Sequence, residues 1–289
     1  MNKRTPGIAL ILCSAFFFYL ATLFVHFASL DFRAPGSWFN FSRFFLGLPF
    51  FYLFYRKHRV PVQNTGWLAM RAIFNVVAVI FFLYAAHFGS VMNANVLNMT
   101  YPAFVALLSP IFIGEKNSAL SWIAVMSAIS GAALITLRGQ ALHFSTADLL
   151  GLASGITAGV GVMSLRQIRK TDSTFNVLFF TFFLGTVVTA IWIFVEVILG
   201  ISASPTDYPP RFWQLLLLSG FCGVAGQWVF TWGFAWVGAV EGSILSSSRI
   251  LIALVAGVAF LGEPFTAASA IGAALVLFAN VALALRPKH

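Results

Sequence analysis

The sequence predicts an all-α membrane protein of ten transmembrane helices, arranged as two inverted five-helix repeats. Three observations predict it. The 289 residues are 60% hydrophobic and only 9% charged, against about 25% charged in an average soluble domain. Uncharged apolar runs recur along the whole chain, each near the roughly 20 residues that a bilayer crossing needs. The segment YPAFVALLSPIFIGE at 101–115 returns 148 residues later as RILIALVAGVAFLGE at 249–263. Both copies close on Gly-Glu, and a further apolar run follows each. A duplication at half the chain length points to a membrane body built from two repeats.

The elements follow in order. Residues 5–30 carry no charged side chain. They follow Lys3 and Arg4 as a secretory leader would, but the apolar run is too long and no small-residue cleavage site is evident, so they read as a retained first span. Residues 36–55 form the second span and carry Arg43. Residues 72–114 are uncharged over too great a length for one crossing. They divide at His87-Phe88-Gly89-Ser90 into the third and fourth spans, with Arg71 near the start of the third. Spans five to eight are 117–137, 149–165, 173–195 and 212–240; the ninth is 239–261, with Arg249, and the tenth is 264–285. No room remains for a soluble domain. The polar connection at 138–148 divides a first repeat, 1–140, from a second, 141–289, and Gly7 and Gly151 open the two in the same way.

The net charge of +9 reports orientation. With ten spans and the amino terminus inside, eleven basic residues fall on the cytoplasmic side and three (Arg33, Arg138, Arg211) on the other. This positive-inside bias predicts that both termini are cytoplasmic, in a bacterial inner membrane. The basic residues then meet anionic lipid head groups, and no nucleic-acid partner is implied. Cys13 and Cys222 lie inside spans, without disulfide or metal spacing, and are expected to be buried inert thiols.

Five helices per repeat is an odd number, so the second repeat must enter the membrane from the opposite side. The halves are then related by a pseudo-twofold axis in the membrane plane, a design that supports alternating access. Several features carry a resemblance: Arg43 with its apolar run to the RKHR cluster at 56–59, Arg71, Tyr84-Ala85, Tyr101-Pro102 through Gly114-Glu115, and the repeated Gly262-Glu263. On these the chain resembles the drug/metabolite transporter superfamily, of the EamA-like type, over essentially its whole length. The resemblance implies a ten-helix bundle with cytoplasmic termini. It also implies a central cavity lined by the middle helices of each repeat, and transport of a small organic solute. Position 250, the counterpart of Pro102, is Ile250. The ninth span is therefore expected to stay straighter than the fourth and to present Arg249 as a charged wall.

The fourth span is unusually polar. Asn95, Asn98 and the helix-breaking Pro102 share one helical face, and a proline frees a backbone carbonyl where the segment lines a cavity. The 148-residue offset maps Asn95 onto Ser243, Asn98 onto Ser246 and Tyr101 onto Arg249. The two polar bands are expected to meet near the midplane and bind solute there, against the plainer role of joining helices by hydrogen bonds. Arg249 stands about ten residues into its span. It needs a partner or a wet cavity at a depth where an arginine costs roughly 2.5–3.5 kcal/mol. A solute carboxylate or phosphate would suit it, and so would a structural pair with Glu241. Arg43, Arg71, Asn75 and Gln227 are further candidate cavity residues. Glu241 is a candidate proton carrier, although an interfacial carboxylate is the plainer reading. Glu115 and Glu263 are expected to fix tight helix corners. Trp228, Trp232 and Trp236 form an i, i+4, i+8 stripe suited to packing, lipid contact or stacking on a planar solute.

No phosphate-binding GxxxxGK[ST] loop, metal-spaced cluster, GxSxG or HExxH motif occurs, so neither cofactor nor metal is expected. The reading is a secondary carrier of a small organic metabolite. Three arginines at membrane depth tilt it toward an amino acid or a related anionic or zwitterionic solute. The alternatives are S-adenosylmethionine, a flavin or a nucleoside-like metabolite. A lipid-handling protein or membrane enzyme would need clustered catalytic groups at one interface, and the sequence lacks them. No pattern fixes the oligomeric state, so a homo-oligomer stays open.

Overall fold

A computed structural model describes residues 4–32, 36–58, 61–88, 91–137, 145–200, 208–260 and 264–285. Twelve helices follow one another: α1 (Arg4–Phe32), α2 (Gly36–His58), α3 (Thr65–Phe88), α4 (Val91–Asn98), α5 (Tyr101–Phe112), α6 (Ala119–Leu137), α7 (Asp148–Ile168), α8 (Thr174–Ile198), α9 (Pro210–Gly233), α10 (Ala239–Ser246), α11 (Arg249–Phe260) and α12 (Ala267–Ala284). Counting α4 with α5 and α10 with α11 gives ten spans. Nine of these are long and apolar enough to cross a bilayer among the described residues. The tenth, α2, has the length, at 23 residues, but its basic end and mid-helix Pro49 dilute its apolarity. The Gly262-Glu263 pair and most of the connection between the repeats lie outside the described residues.

Packing follows the inverted repeat. Helix α1 lies on α9 as α7 lies on α3, and α2 meets α9 as α8 meets α3. Helices α4 and α5 rest on α7 as α10 and α11 rest on α1. Two pairs, α2 with α8 and α6 with α12, are their own counterparts and straddle the pseudo-twofold axis.

Lipid is as apolar as leucine, so helix association in a membrane relies on close backbone approach at small residues. The glycines do this here. A Cβ on Gly131 would stand 2.6 Å from the Gly272 carbonyl oxygen, and the converse holds. A Cβ on Gly155 would lie 2.7 Å from the Leu97 carbonyl oxygen. The α2–α8 pair uses a reciprocal fit. Phe44 fills the space over Gly185, and Phe182 fills the space over Gly47. The two rings meet edge to face at 5.6 Å.

Both half-spans break at equivalent places. After α4 the chain turns at Met99-Thr100, and after α10 at Ser247-Ser248, 148 residues later. The first break is explained by Pro102 in the opening turn of α5, together with the Thr100 hydroxyl bonded back to the Leu97 carbonyl at 2.6 Å. The second overturns the expectation of a straighter ninth span. Serine hydroxyls do there what proline does in the first repeat. Ser246 and Ser247 donate to the carbonyls of Ser243 and Ile244, at 2.9 and 2.6 Å, and the backbone turns through i−3 bonds at 247, 248, 250 and 251. Hydroxyls that engage a helix's own carbonyls loosen and bend it.

Two other expectations are corrected. Helix α9 ends at Gly233, so Trp236 lies in the following turn and the tryptophan stripe is not a single helix face. Trp228 packs on Phe50 and Phe51, while Trp232 is exposed and touches Trp236. Cys13 is exposed on the outside of the bundle rather than buried.

Replacing Gly131 or Gly272 with valine should force α6 and α12 apart, lowering the unfolding midpoint in detergent by the equivalent of about 1–3 kcal/mol. Thermal unfolding followed by intrinsic fluorescence checks this.

Candidate solute site

The polar bands of the broken spans do meet. The Tyr101 hydroxyl at the head of α5 donates to the Ser243 carbonyl of α10 at 2.8 Å and shares a short bond with the Ser246 hydroxyl. All three residues are buried. Asn98 turns away from this seam and donates to the Ser154 hydroxyl of α7 at 3.0 Å. Asn95 is half-buried on α4. The twofold counterpart of Tyr101 is Arg249, whose Nη2 reaches the Met99 Sδ at the other break, 3.6 Å away. A thioether is a weak acceptor, so Arg249 has a soft neighbour and no carboxylate partner among the described residues. Tyr101, Ser243 and Ser246 therefore form a closed seam, whereas Arg249 keeps hydrogen-bonding capacity to offer.

Glu241 is tied elsewhere. Arg4 at the start of α1 donates to it through Nε and Nη2, at 2.9 and 2.7 Å, and also reaches the Leu283 carbonyl. The pairing of Glu241 with Arg249 is not formed. On the same side of the bundle Glu115 accepts from Arg166 Nε at 2.8 Å, lies 3.9 Å from Lys170 and accepts the Ala239 amide at 2.8 Å. A first-repeat carboxylate thus caps the first turn of a second-repeat helix, where free amides favour negative charge. Arg166 also donates to the carbonyls of Phe234 and Ala235. These contacts tie the two repeats together on the amino-terminal side. Arg169, just beyond α7, is held down to about 10 by burial, partly offset by Asp172. On the opposite side Glu196 accepts from Ser37 at 2.5 Å and from Trp192 at 3.0 Å.

The second cluster lies between α2, α3, α7 and α9. Asn40 Oδ1 accepts from Arg43 Nη2 at 2.7 Å and so orients that guanidinium. Arg43 lies flat against α9 because position 223 is glycine; a Cβ there would stand 2.5 Å from the Arg43 Cδ. Arg71 is 3% exposed and donates Nη1 to the Gly161 carbonyl of α7 at 3.2 Å. Asn75 follows one turn along α3. Gln227 follows Gly223 by one turn on α9, is buried, and donates to Thr231 at 3.4 Å.

Four buried donors of this cluster meet no acceptor of the protein: Asn40 Nδ2, Arg43 Nε, Arg71 Nε and Asn75 Nδ2. Neither arginine has a carboxylate partner among the described residues. Asn40 was not singled out from sequence, although its position three residues before Arg43 on a helix could have marked it. The Thr181 hydroxyl of α8 is likewise buried without a partner. The described residues hold no group of acidic, histidine and cysteine side chains able to bind a metal.

Tyr101→Phe should weaken the α5–α10 seam by about 1 kcal/mol, the usual net worth of a buried hydrogen bond, read as a lower midpoint in thermal unfolding. Glu115→Gln should speed hydrogen exchange at the Ala239 amide by roughly fivefold, matching about 1 kcal/mol of lost capping.

Comparison with known proteins bears on the whole chain. The model of the EamA-like transporter family matches twice, over residues 5–137 and 145–285. The pseudopaline exporter CntI of Pseudomonas aeruginosa is 23% identical over 290 residues, covering 100% of this chain and 99% of that protein. A riboflavin transporter of Vibrio cholerae is 21% identical over 237 residues, covering 79% and 76%. A solved crystal structure superposes with a TM-score of 0.76 at 14% identity, covering 96% of this chain and 97% of that one, and so shares the fold. The chain belongs to the EamA-like transporter family and is an integral membrane transporter rather than an enzyme.

Proposed function

We propose that the protein is a secondary transporter for a small organic metabolite, an amino acid or a related anionic or zwitterionic solute. It works by alternating access between its repeats, 1–140 and 141–289, in a bacterial inner membrane with both termini cytoplasmic. The single observation that carries the solute class is the pair Arg43 and Arg71. Both lie within spans, lack carboxylate partners among the described residues, and sit with four unmatched donors. A buried charge is tolerated where something neutralises it. A carboxylate or phosphate supplies the acceptors that this cluster lacks, and an arginine can hold it with two parallel hydrogen bonds. Arg249, whose Nη2 reaches the Met99 Sδ and which has no carboxylate partner among the described residues, is a further contact for the solute, while Tyr101, Ser243 and Ser246 hold the two breaks together. Glu241, being paired with Arg4, serves the tie on the amino-terminal side better than proton transfer.

A second reading within the class, a flavin or another nucleoside-like metabolite, is favoured by the likeness to the riboflavin transporter.

A thermal-shift screen of purified protein in detergent decides between them. The panel is L-glutamate, L-leucine, citrate, S-adenosylmethionine, riboflavin and adenosine. An anionic or zwitterionic compound should stabilise wild type, by about 2.7 kcal/mol at a hundred times its Kd. Arg43→Gln and Arg71→Gln should lose that response, yet unfold no earlier than empty wild type, because each sheds an uncompensated buried charge. Equal responses from wild type and both variants would remove the arginines from the site. A response to riboflavin or adenosine alone would favour the second reading.

A further inference from the structure

The charge balance of the Arg43–Arg71 cluster bears on how the carrier returns after releasing its load. None of the chain's eight acidic residues falls in the middle of a span by sequence. Five of them have their own partners near the two faces. Glu115 and Glu241 hold the amino-terminal side, and Asp172 accepts the Gln63 amide in the turn after α7. Asp148 accepts the Ser145 amide where α7 begins, and Glu196 holds Ser37 on the opposite side. Without its solute the cluster therefore holds two positive charges and four unmatched donors, with no carboxylate partner among the described residues to supply a counter-charge.

Alternating access passes through a state closed on both sides, from which bulk water is excluded. Exclusion of water raises the cost of the two uncompensated charges and of the unmatched donors. A bound anion reverses both terms. We infer that the anionic solute is itself the counter-ion that lets the carrier close, so the protein works as an exchanger of anions and returns empty only slowly. This inference rests on the anion site of the proposed function. It goes further in choosing exchange over uniport and over proton coupling through a carboxylate. Chemically, the consequence is a fixed pairing: one anion leaves for each that enters, and the gradient of either can drive the other.

The test uses the full chain in liposomes loaded in turn with labelled L-glutamate, citrate and inorganic phosphate. Efflux is measured into chloride-free buffer, with and without the same unlabelled anion outside, beside thermal shifts with the same three compounds. For an anion that stabilises the protein, efflux should be at least about tenfold faster with anion outside, as burial of uncompensated charge slows the empty return. An anion that stabilises wild type but leaves equally fast into anion-free buffer overturns the exchange and leaves the site intact. Three anions that neither stabilise the protein nor move overturn the site itself, and the exchange with it.

Discussion

Close backbone approach between helices in a medium that gives no hydrophobic reward for it is the constraint on which this structure depends. In water a leucine seam would hold ten helices together; in lipid those leucines are equally content facing outward. The helices must therefore meet where side chains are absent. Gly131 and Gly272 bring α6 and α12 together across the axis, and Gly155 brings α7 against the break after α4. Gly223 lets α2 approach α9 closely enough to lay Arg43 along it. The charged cluster is thus a product of the same packing. A larger residue at 223 would push away the guanidinium as well as the helix.

The two halves reach the same architecture by different chemistry. Met99-Thr100 and Ser247-Ser248 occupy equivalent places, yet one turn is made beside a proline and the other by hydroxyls returned to their own carbonyls. What differs is placed where it matters. Tyr101 closes onto Ser243 and Ser246, whereas its counterpart Arg249 reaches a thioether. One crossing is sealed by its own groups, and the other keeps a cation with donors in reserve.

Much of this was legible in the residues. The apolar runs located the spans, and the 148-residue offset predicted that the polar bands of the fourth and ninth spans would meet, as Tyr101 does on Ser243 and Ser246. Arg43, Arg71 and Arg249 stood out because a charge at membrane depth demands a reason. The break in the ninth span was not legible, because serines return their hydroxyls to their own turn in unbroken helices too, as Ser14, Ser42 and Ser164 do here. The Arg4–Glu241 pair was hidden for another reason. Its members are 237 residues apart, each at the end of a span where a charge needs no partner. A polar residue near a span end is ordinary, so Asn40 stands out only once α2 is packed and its amide is left unmatched.

The reciprocal fit of Phe44 over Gly185 and Phe182 over Gly47 has a consequence for motion. A contact that is its own image under the twofold axis looks the same whichever face of the protein is open, so it can persist unchanged while the rest of the bundle rocks. It has the properties of an axle. A side chain added at Gly47 would jam both end states equally, so its damage would show in the speed of turnover and leave the preference between faces untouched.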